Sequence, residues 1–424
     1  MKKFYLIVLA SILCLALVAP AMAKVTTGGI IFTDVFQTTW DENFMRNTVG
    51  RANDGDFEQF DIQSTYGTRW WVKAVNDKND VGAYIEVRVL GENNFTHNAV
   101  GLPEGLEADQ MYGWWQINPM FKLTVGQQME FFSQLNTYNY FGSDHTAYAA
   151  SKGFGNIGGN KFPSVRLDAK ISDAITISGL MGYAALSGAA GSWGNWDNEN
   201  TTPRFDIGLE AKIGPVTIYP SYAWHEVQYD RDLASAAGTA NSDDSITTWG
   251  FSFPADVSFG PFKLEGEYNI GQNLSDSNID VAYTQNPGGV WWGGSNRLKG
   301  TMNGSGAALW ANVGGRATVI DADYTGWWLA GTYSFTRSLK FKLVYGQEDV
   351  EYDIPASIAP AFPLDTDRDG WTASIQWVPA KVFSIAPFYG VYDHGTSSLG
   401  SAGALAPVDL GEVKQIGVEF MIVF

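Results

Sequence analysis

The strongest constraint on the fold is a side-chain alternation of period two that recurs along the chain and runs to its last residue. In the final run, Gln415 to Phe424, apolar residues occupy every second position. The same pattern continues on both sides of Gly214-Pro215, where apolar side chains alternate with charged and polar ones. Successive side chains of a strand point to opposite faces, so each segment predicts a strand with one apolar and one polar face.

Helical periodicity is almost absent from the chain. Beyond the N-terminal segment, no apolar run approaches the ~20 residues that a membrane-spanning helix needs. A transmembrane β-barrel hides its apolar surface in alternation, so its mean hydropathy stays close to that of a water-soluble protein. We therefore expect an all-β fold, a transmembrane antiparallel up-and-down β-barrel.

The N-terminus carries the features of a signal peptide. Lys2 and Lys3 precede the apolar stretch Leu6 to Val18, and Ala21-Met22-Ala23 offers a cleavage site of small residues. The apolar stretch is short for a membrane-spanning helix. We expect residues 1–23 to direct Sec-type export and to be removed, which leaves residues 24–424 as the mature barrel.

Composition excludes several classes of site. The only cysteine, Cys14, lies inside the predicted signal peptide, so the mature protein has neither disulfides nor a thiolate metal site. Without residues 1–23, the basic residues fall from 27 to 25 against 45 acidic ones, a net charge of −20. Such a chain has no basic surface to neutralise phosphates, so no nucleic-acid partner is expected.

Short turns and long polar connections alternate along the chain. The predicted turns are 76–80, 118–120, 172–173, 214–215, 260–261, 336–338 and 379–381, and most are rich in turn-forming residues. The predicted long loops are 41–57, 92–108, 131–160, 187–202, 230–244, 273–320, 351–367 and 395–409. Fifteen connections imply sixteen strands, with short turns on the periplasmic side and long loops outside.

Tryptophans cluster near the predicted strand ends. In a barrel such residues form girdles at the depth of the lipid headgroups, and the alternative is a set of core or sugar-stacking rings. The residues assigned to the girdles are Trp114, Trp115, Trp249, Trp327, Trp328, Trp371 and Trp377.

The C-terminal strand, with Phe420, Ile422 and the terminal Phe424 on one face, resembles the closing strand of bacterial outer-membrane barrels. The barrel-assembly machinery reads that strand during insertion. With sixteen strands and a long third external loop, the whole mature chain resembles the general porins of Gram-negative outer membranes. The resemblance implies a homotrimer in the outer membrane, in contact with lipid and lipopolysaccharide.

The resemblance also implies that the third loop, about residues 131–160, folds into the lumen and narrows the channel. The candidates for this constriction are Glu130, Tyr138, Tyr140, Asp144 and Tyr148. The basic candidates for the facing pore wall are Arg69, Arg88, Arg166, Lys170 and Arg204. This loop is poor in acids and rich in tyrosine and glycine, which departs from the strongly charged constriction typical of the family.

Catalytic and metal-binding patterns are weak. No Gly-x-Ser-x-Gly pentapeptide occurs, and the four histidines are scattered. The segment 365–370 resembles the opening of a calcium-binding loop, with Asp365, Asp367 and Asp369 as weak calcium candidates. The twelfth position is Gln376 rather than glutamate, so an acidic turn is the simpler interpretation. We expect no catalytic residues and no cofactor.

Three functions remain open. The first is a porin for passive diffusion of small hydrophilic solutes and ions. The second is a channel specific for sugars or oligosaccharides, with the loop tyrosines as stacking residues. The third, a secreted carbohydrate-active enzyme, leaves the C-terminal strand unexplained.

Two further expectations concern assembly and charge. Gly28, Ile30 and Phe32 lie on one face of the first strand and are taken as part of the trimer contact. The strand residues assigned to the lumen are nearly balanced in charge, so the excess of acids lies mainly in the loops. An acidic vestibule of this kind predicts a weak cation preference that fades as salt rises.

Overall fold

In the computed structural model the residues described are 24–43, 55–63, 68–90, 105–132, 135, 155, 157, 161–183, 202–228, 245–274, 309–313, 316–352, 366–397, 408–409 and 411–424. The predicted signal peptide lies outside these residues. Within them, no helix has the length and apolar character needed to cross a membrane.

The described strands form a closed antiparallel barrel of sixteen, as the turn count predicts. In chain order they are β1 Lys24–Trp40, β2 Phe57–Gln63 with Arg69–Val75, β3 Val81–Leu90, β4 Gly105–Gln116, β5 Phe121–Met129, β6 Lys161–Lys170, β7 Ile175–Gly182, β8 Arg204–Ile213, β9 Val216–Ile218 with Ser221–Gln228, β10 Ser245–Phe259, β11 Phe262–Gln272, β12 Ala322–Ser334, β13 Leu339–Tyr352, β14 Thr366–Ala380, β15 Phe383–Asp393 and β16 Glu412–Val423.

The barrel closes between its first and last strands. Ile30–Trp40 of β1 pairs antiparallel with residues 413–423 of β16. The terminal residue completes the seam, because the amide of Phe424 donates to the carbonyl of Gly29 at 3.0 Å and the amide of Gly29 donates back at 2.9 Å. Full closure leaves no unpaired edge among these strands, which a barrel in lipid requires.

Two barrel strands are interrupted, and local chemistry replaces the missing ladder bonds. At the break in β2, the Thr68 hydroxyl accepts from the amide of Phe32 at 3.0 Å and lies 3.3 Å from its carbonyl. At the break in β9, Pro220 has no amide proton, but its carbonyl still accepts from Leu209 at 2.9 Å. The described residues on either side of both breaks keep the antiparallel pairing with the neighbouring strand.

The predicted short turns all lie at one end of the barrel. Residues in the left-handed backbone region form three of them: Asn79 at φ 55°, Gly214 at φ 62° and Gly260 at φ 59°. In the turn after β4, the Asn118 side chain accepts from the amides of Met120 and Phe121 at 2.8 and 2.9 Å. Glycine and asparagine tolerate these conformations, which is why the sequence marks the turns clearly.

The long connections lie at the other end, and the sequence misplaced some of their boundaries and missed strands within two of them. Strand β4 already begins at Gly105, and β14 begins at Thr366. The predicted loop 273–320 contains a separate hairpin, Leu309–Val313 paired with Arg316–Ile320. Two short strands, Thr396–Ser397 and Val408–Asp409, also pair within the last long connection. Polar composition alone does not distinguish a strand beyond the membrane from a loop.

The two faces of the wall differ as the alternation predicts. Outward side chains are largely apolar and exposed, as Ile207, Leu329 and Ile375 illustrate. Outward aromatic rings also contact one another, with Trp327 and Tyr345 centred 5.4 Å apart and Trp371 and Tyr389 5.5 Å apart. The inward face carries the polar and charged side chains, so the functional site lies in the lumen.

Candidate functional site

The segment that follows β5, of which residues 130–132, 135, 155 and 157 are described, is attached to the inner wall by a buried ion pair. Glu130, directly after the end of β5, contacts the guanidinium of Arg204 on β8. Arg204 also donates to Asp206 at 2.8 Å through Nε and at 3.0 Å through Nη2. The side chains of all three residues are almost completely buried. Charges buried this deeply are stable only when paired, so this cluster fixes the start of the segment.

Aromatic rings surround the cluster of Glu130, Arg204 and Asp206, which is the first anchor of the segment. The Arg204 guanidinium lies 5.1 Å from the ring centre of Phe162 and 5.6 Å from that of Phe132. Phe131 lies over Gly208 of β8, where an added Cβ would be 3.0 Å from the ring. The rings exclude water from the ion pair and strengthen its electrostatic attraction.

The segment then follows the wall from strand to strand. Phe132 packs beside Gly250 of β10 and is completely buried. Leu135 is buried against Trp328 and Ala330 of β12 and Val344 of β13. Between residues 130 and 135 the chain therefore passes from β8 to β13 along the inside of the barrel.

A second anchor lies at Gly155. Its amide donates to the Glu348 carboxylate on β13 at 3.2 Å, and its carbonyl accepts from Asn269 on β11 at 2.9 Å. Its φ is +84°, and a Cβ at this position would collide with the backbone carbonyls of Trp327 and Gln347. Only glycine fits a backbone that lies so close to the wall and in the left-handed region.

The wall beneath the second anchor is a network of buried polar side chains. Glu348 accepts from Arg368 of β14 at 3.3 Å, and the Tyr324 hydroxyl lies 3.4 Å from it. On the neighbouring strands, Glu267 accepts from the Trp328 indole at 3.1 Å and from Ser252 at 2.8 Å. Satisfied networks of this kind rigidify a surface, so β10 to β14 form a fixed support for the segment.

The opposite wall, β2 to β6, carries ion pairs of mixed exposure: Arg88 and Arg166 are partly exposed, whereas Arg69 and Glu86 are buried. Arg69 lies 3.6 Å from Glu86, and Arg166 donates to Asp168 at 2.6 Å. Arg88 lies 3.7 Å from Asp109, which also accepts from Lys161 of β6 at 2.5 Å. These cations face carboxylates, so together they add little net charge to the lumen.

The predicted site residues have different surroundings. Arg69, Arg88 and Arg166 lie on the inner wall as expected, while Lys170 pairs with Asp173 of the turn after β6 at 2.7 Å. Arg204 and Glu130 are sealed beneath the segment, so neither is open to channel water in the way the sequence predicts. Tyr138, Tyr140, Asp144 and Tyr148 lie outside the described residues.

Two of the predicted girdle tryptophans face the lumen. Trp115 and Trp327 are exposed on the outer face, whereas their neighbours Trp114 and Trp328 lie on the inner face. Adjacent residues of a strand point to opposite faces, so a Trp-Trp pair cannot supply two girdle rings. The remaining girdle residues, Trp249, Trp371 and Trp377, share the alternation of the outward face.

The face of β1 assigned to the trimer contact was also wrong. Gly28, Ile30 and Phe32 share the face of Asp34, and Asp34 pairs directly with the inward Glu419. Phe32 is completely buried inside the barrel. The outward face of β1 carries Ile31 and Val35 instead, opposite Ile422 and Val418 of β16.

The calcium candidates do not form a cation-binding loop. Asp367 and Asp369 lie in β14 on the face of the exposed Trp371, and Asp365 lies outside the described residues. An extended strand does not curl around an ion as a calcium loop does. In the described part of the chain, no group of three or more His, Cys, Asp or Glu residues is placed to hold a metal.

Sequence reasoning missed Asp109 and Arg368. Asp109 lies at a bulge where β4 slips by one residue against Glu86 and Val87 of β3. Between this bulge and the turn after β4, the inward residues, such as Tyr112, are even-numbered. The slip moves the odd-numbered Asp109 to the inner face, which simple alternation does not predict. Arg368 lies in the acidic segment 365–370, where we considered only the carboxylates.

The membrane-insertion candidates lie at the seam. Phe424 and Ile422 are exposed on the outer face, and Phe420 pairs with Thr33 of β1 on the same face. The strand that the sequence singled out is therefore the one that closes the barrel. Its recognition by the barrel-assembly machinery stays a prediction.

Solved structures of Gram-negative outer-membrane channels and porins have the same barrel fold. The outer membrane channel DcaP of Acinetobacter baumannii has a TM-score of 0.62 at 16% identity, over 95% of this chain and 98% of that one. OmpF of Salmonella typhi has a TM-score of 0.54 at 9% identity, over 93% and 97%. A trimeric form of OmpT of Vibrio cholerae has a TM-score of 0.53 at 13% identity, over 95% and 100%.

These likenesses hold over nearly the whole chain and establish the fold. No protein-family model matches the sequence. None of the curated proteins matches it either.

Proposed function

We propose that the protein is a porin of the Gram-negative outer membrane, a water-filled channel through which small hydrophilic solutes and ions diffuse passively. The observation that carries the proposal is the position of residues 130–132, 135 and 155 against the inner wall of the barrel. The segment leaves the wall at β5 and is hydrogen-bonded at β11 and β13, almost half the circumference away. A segment anchored in this way narrows the lumen without closing it, while a sixteen-strand barrel alone leaves a wide channel.

The channel proposal differs from an enzyme in the chemistry of its site. The buried carboxylates Glu348, Asp206 and Glu130 each contact an arginine, and those contacts hold the segment against the wall. We infer that these carboxylates have a structural role rather than a catalytic one. The barrel we propose lies in a bilayer, in contact with lipid and lipopolysaccharide, and its outward aromatic rings support that proposal.

A planar-bilayer experiment tests the channel. We expect the purified protein to give discrete conductance steps, and a variant that lacks residues 138–155 to give steps several times larger. Equal steps from the two proteins would place the segment outside the conducting path. A protein that inserts into the bilayer and gives no current would refute the channel itself.

The homotrimer belongs to the same proposal. Support comes from the trimeric form of OmpT with the same fold and from the closed symmetry that identical subunits usually adopt. We expect unboiled detergent gels to show a band of three times the monomer mass that heating converts to the monomer. Native mass spectrometry that finds only the monomer would refute it.

A further inference from the structure

The wall opposite the anchored segment carries a row of aromatic side chains on the inner face of β2, β3 and β4. Tyr84 and Tyr112 are cross-strand partners with ring centres 5.3 Å apart, and the ring of Trp114 follows 6.2 Å from that of Tyr112. Trp71 lies on the same face, two residues from Arg69. All four rings are half-buried. Aromatic rings facing water inside a channel are available to a solute.

Two of the rings pack closely against glycines. A Cβ added to Gly82 would collide with the Trp114 indole, and a Cβ added to Gly28 would collide with that of Trp71. Each indole therefore packs against the backbone of the neighbouring strand and remains partly exposed. Glycine at these two positions makes room for the rings. A wall that only faced water would not need glycine there.

A lysine completes this aromatic surface. The ammonium of Lys73 lies 5.4 Å from the ring centre of Trp114, and Lys73 is the direct cross-strand partner of Tyr84. The side chain is exposed, and within the part of the chain that the structure describes it has no carboxylate partner. By contrast, Arg69 is paired with Glu86, and Lys122 lies 3.9 Å from Asp168.

The position of the surface along the pore follows from the strands. Lys73 and Trp114 each lie two residues from the periplasmic end of their strand. A solute that has passed the anchored segment meets this surface before it reaches the periplasm.

We propose that Trp71, Lys73, Tyr84, Tyr112 and Trp114 form a binding site for small organic anions that carry an aromatic ring. The ring stacks on the exposed aromatic faces, and the carboxylate contacts the Lys73 ammonium. Neither contact alone is selective in water, but together they distinguish a ring-bearing anion from a simple anion and from a neutral ring. The inference rests on the proposed channel, since the site faces its lumen.

Benzoate is the probe, and the noise of the open-channel current during a benzoate titration gives an apparent Kd. We expect binding of acetate, which lacks the ring, and of benzyl alcohol, which lacks the charge, to be at least about tenfold weaker. Glucuronate tests whether a sugar ring replaces the aromatic one. Tighter binding of glucuronate than of benzoate would overturn the assignment to aromatic anions.

The variants test whether benzoate binds at this site or elsewhere in the lumen. K73Q keeps the length of the side chain and removes its charge, and we expect it to weaken benzoate binding about tenfold. W114A is expected to weaken binding to a similar extent, while W114F, which keeps a ring, retains most of it. The matched control is K212Q, because Lys212 lies near the same end of the opposite wall and is paired with Glu210 at 2.9 Å.

The outcomes are distinct from those of the channel test. Wild-type current with no benzoate noise, or equal Kd values for the wild type, K73Q and K212Q, overturns the binding site and leaves the porin intact. Absence of current from every protein overturns the porin. Unchanged conductance steps in K73Q show that the variant is folded, so its benzoate affinity is a valid reading.

Discussion

The two halves of the inner wall differ in what they present to the lumen. From β8 to β14 the wall is covered, and its charges, such as Arg204 and Glu348, are almost completely buried in pairs. From β2 to β6 the wall is open, and side chains such as Arg88 and Trp114 remain partly exposed. Burial turns charged residues into anchors, whereas exposure leaves them available to ions and solutes.

The largest effect is expected at the first anchor of the covered wall. Arg204→Ala leaves Glu130 and Asp206 buried without their cation, which costs about 3–5 kcal/mol of unfolding free energy. Urea unfolding in detergent or lipid measures the difference.

The matched control for that variant lies on the open wall. Arg88→Ala leaves Asp109 with Lys161 at 2.5 Å, so we expect a loss of about 1 kcal/mol or less. Equal losses in the two variants would contradict the difference between the walls.

The second anchor is expected to affect the width of the proposed channel. Gly155→Ala introduces a Cβ that meets backbone oxygens of β12 and β13, so the segment must move off the wall. We expect single-channel conductance to fall by about 1.5-fold to twofold, because the displaced backbone occupies more of the lumen, while the barrel stays folded. Gly214→Ala is the control, since Gly214 also has a positive φ but an added Cβ meets nothing within 4 Å. A conductance change of the same size in both variants would indicate a general loosening of the barrel.

Two tryptophans on the inner face test which part of the wall is accessible to water-soluble molecules. Trp114 is half-buried on the open wall, whereas Trp328 is 1% exposed beneath the segment. We expect iodide to quench a measurably smaller fraction of the tryptophan fluorescence in Trp114→Phe than in the wild type. In Trp328→Phe the quenched fraction should not decrease. Trp115→Phe should instead reduce quenching by brominated lipid, because Trp115 faces the bilayer with half of its surface exposed. Equal iodide access to Trp114 and Trp328 would mean that the segment does not cover its wall.

The smallest effect is a pH dependence at the external rim. His394 follows β15, and burial, together with the nearby Arg368, holds its pKa well below the ordinary 6.5. The unfolded chain binds a proton that the folded chain does not, so stability is complete above pH 6.5 and declines as the pH falls toward the folded value. We expect a lower unfolding midpoint at pH 5 than at pH 7, and a smaller difference in His394→Gln.

Asp173→Asn is the control for this pH dependence. The hydrogen bond from Lys170 lowers the pKa of the exposed Asp173 carboxyl below 3.8, so its contribution changes only at more acidic pH. The same reduction of the pH 5 to pH 7 difference in this variant would exclude His394 as the cause.

The sequence by itself determined the architecture. Period-two alternation, Gly and Asn at the turns, and a last strand ending at Phe424 were sufficient to predict sixteen strands and the face of most wall residues. These signals are local, because strand geometry fixes the face of each residue and the turn dihedrals select particular residue types. Prediction failed where a local rule was broken, as at the β-bulge beside Asp109, or where it was misapplied, as at the adjacent Trp114 and Trp115.

Only the tertiary structure decided which luminal residues face water. Arg88 and Arg204 are both inward arginines in the sequence pattern, yet one is partly exposed and the other sealed beneath Phe132 and Phe162. The difference depends on contacts between residues far apart in the chain, such as Gly155 with Glu348, 193 positions away. Alternation assigns a residue to a face of the wall, but the packing of residues 130–132, 135 and 155 against the inner face determines which wall residues are buried.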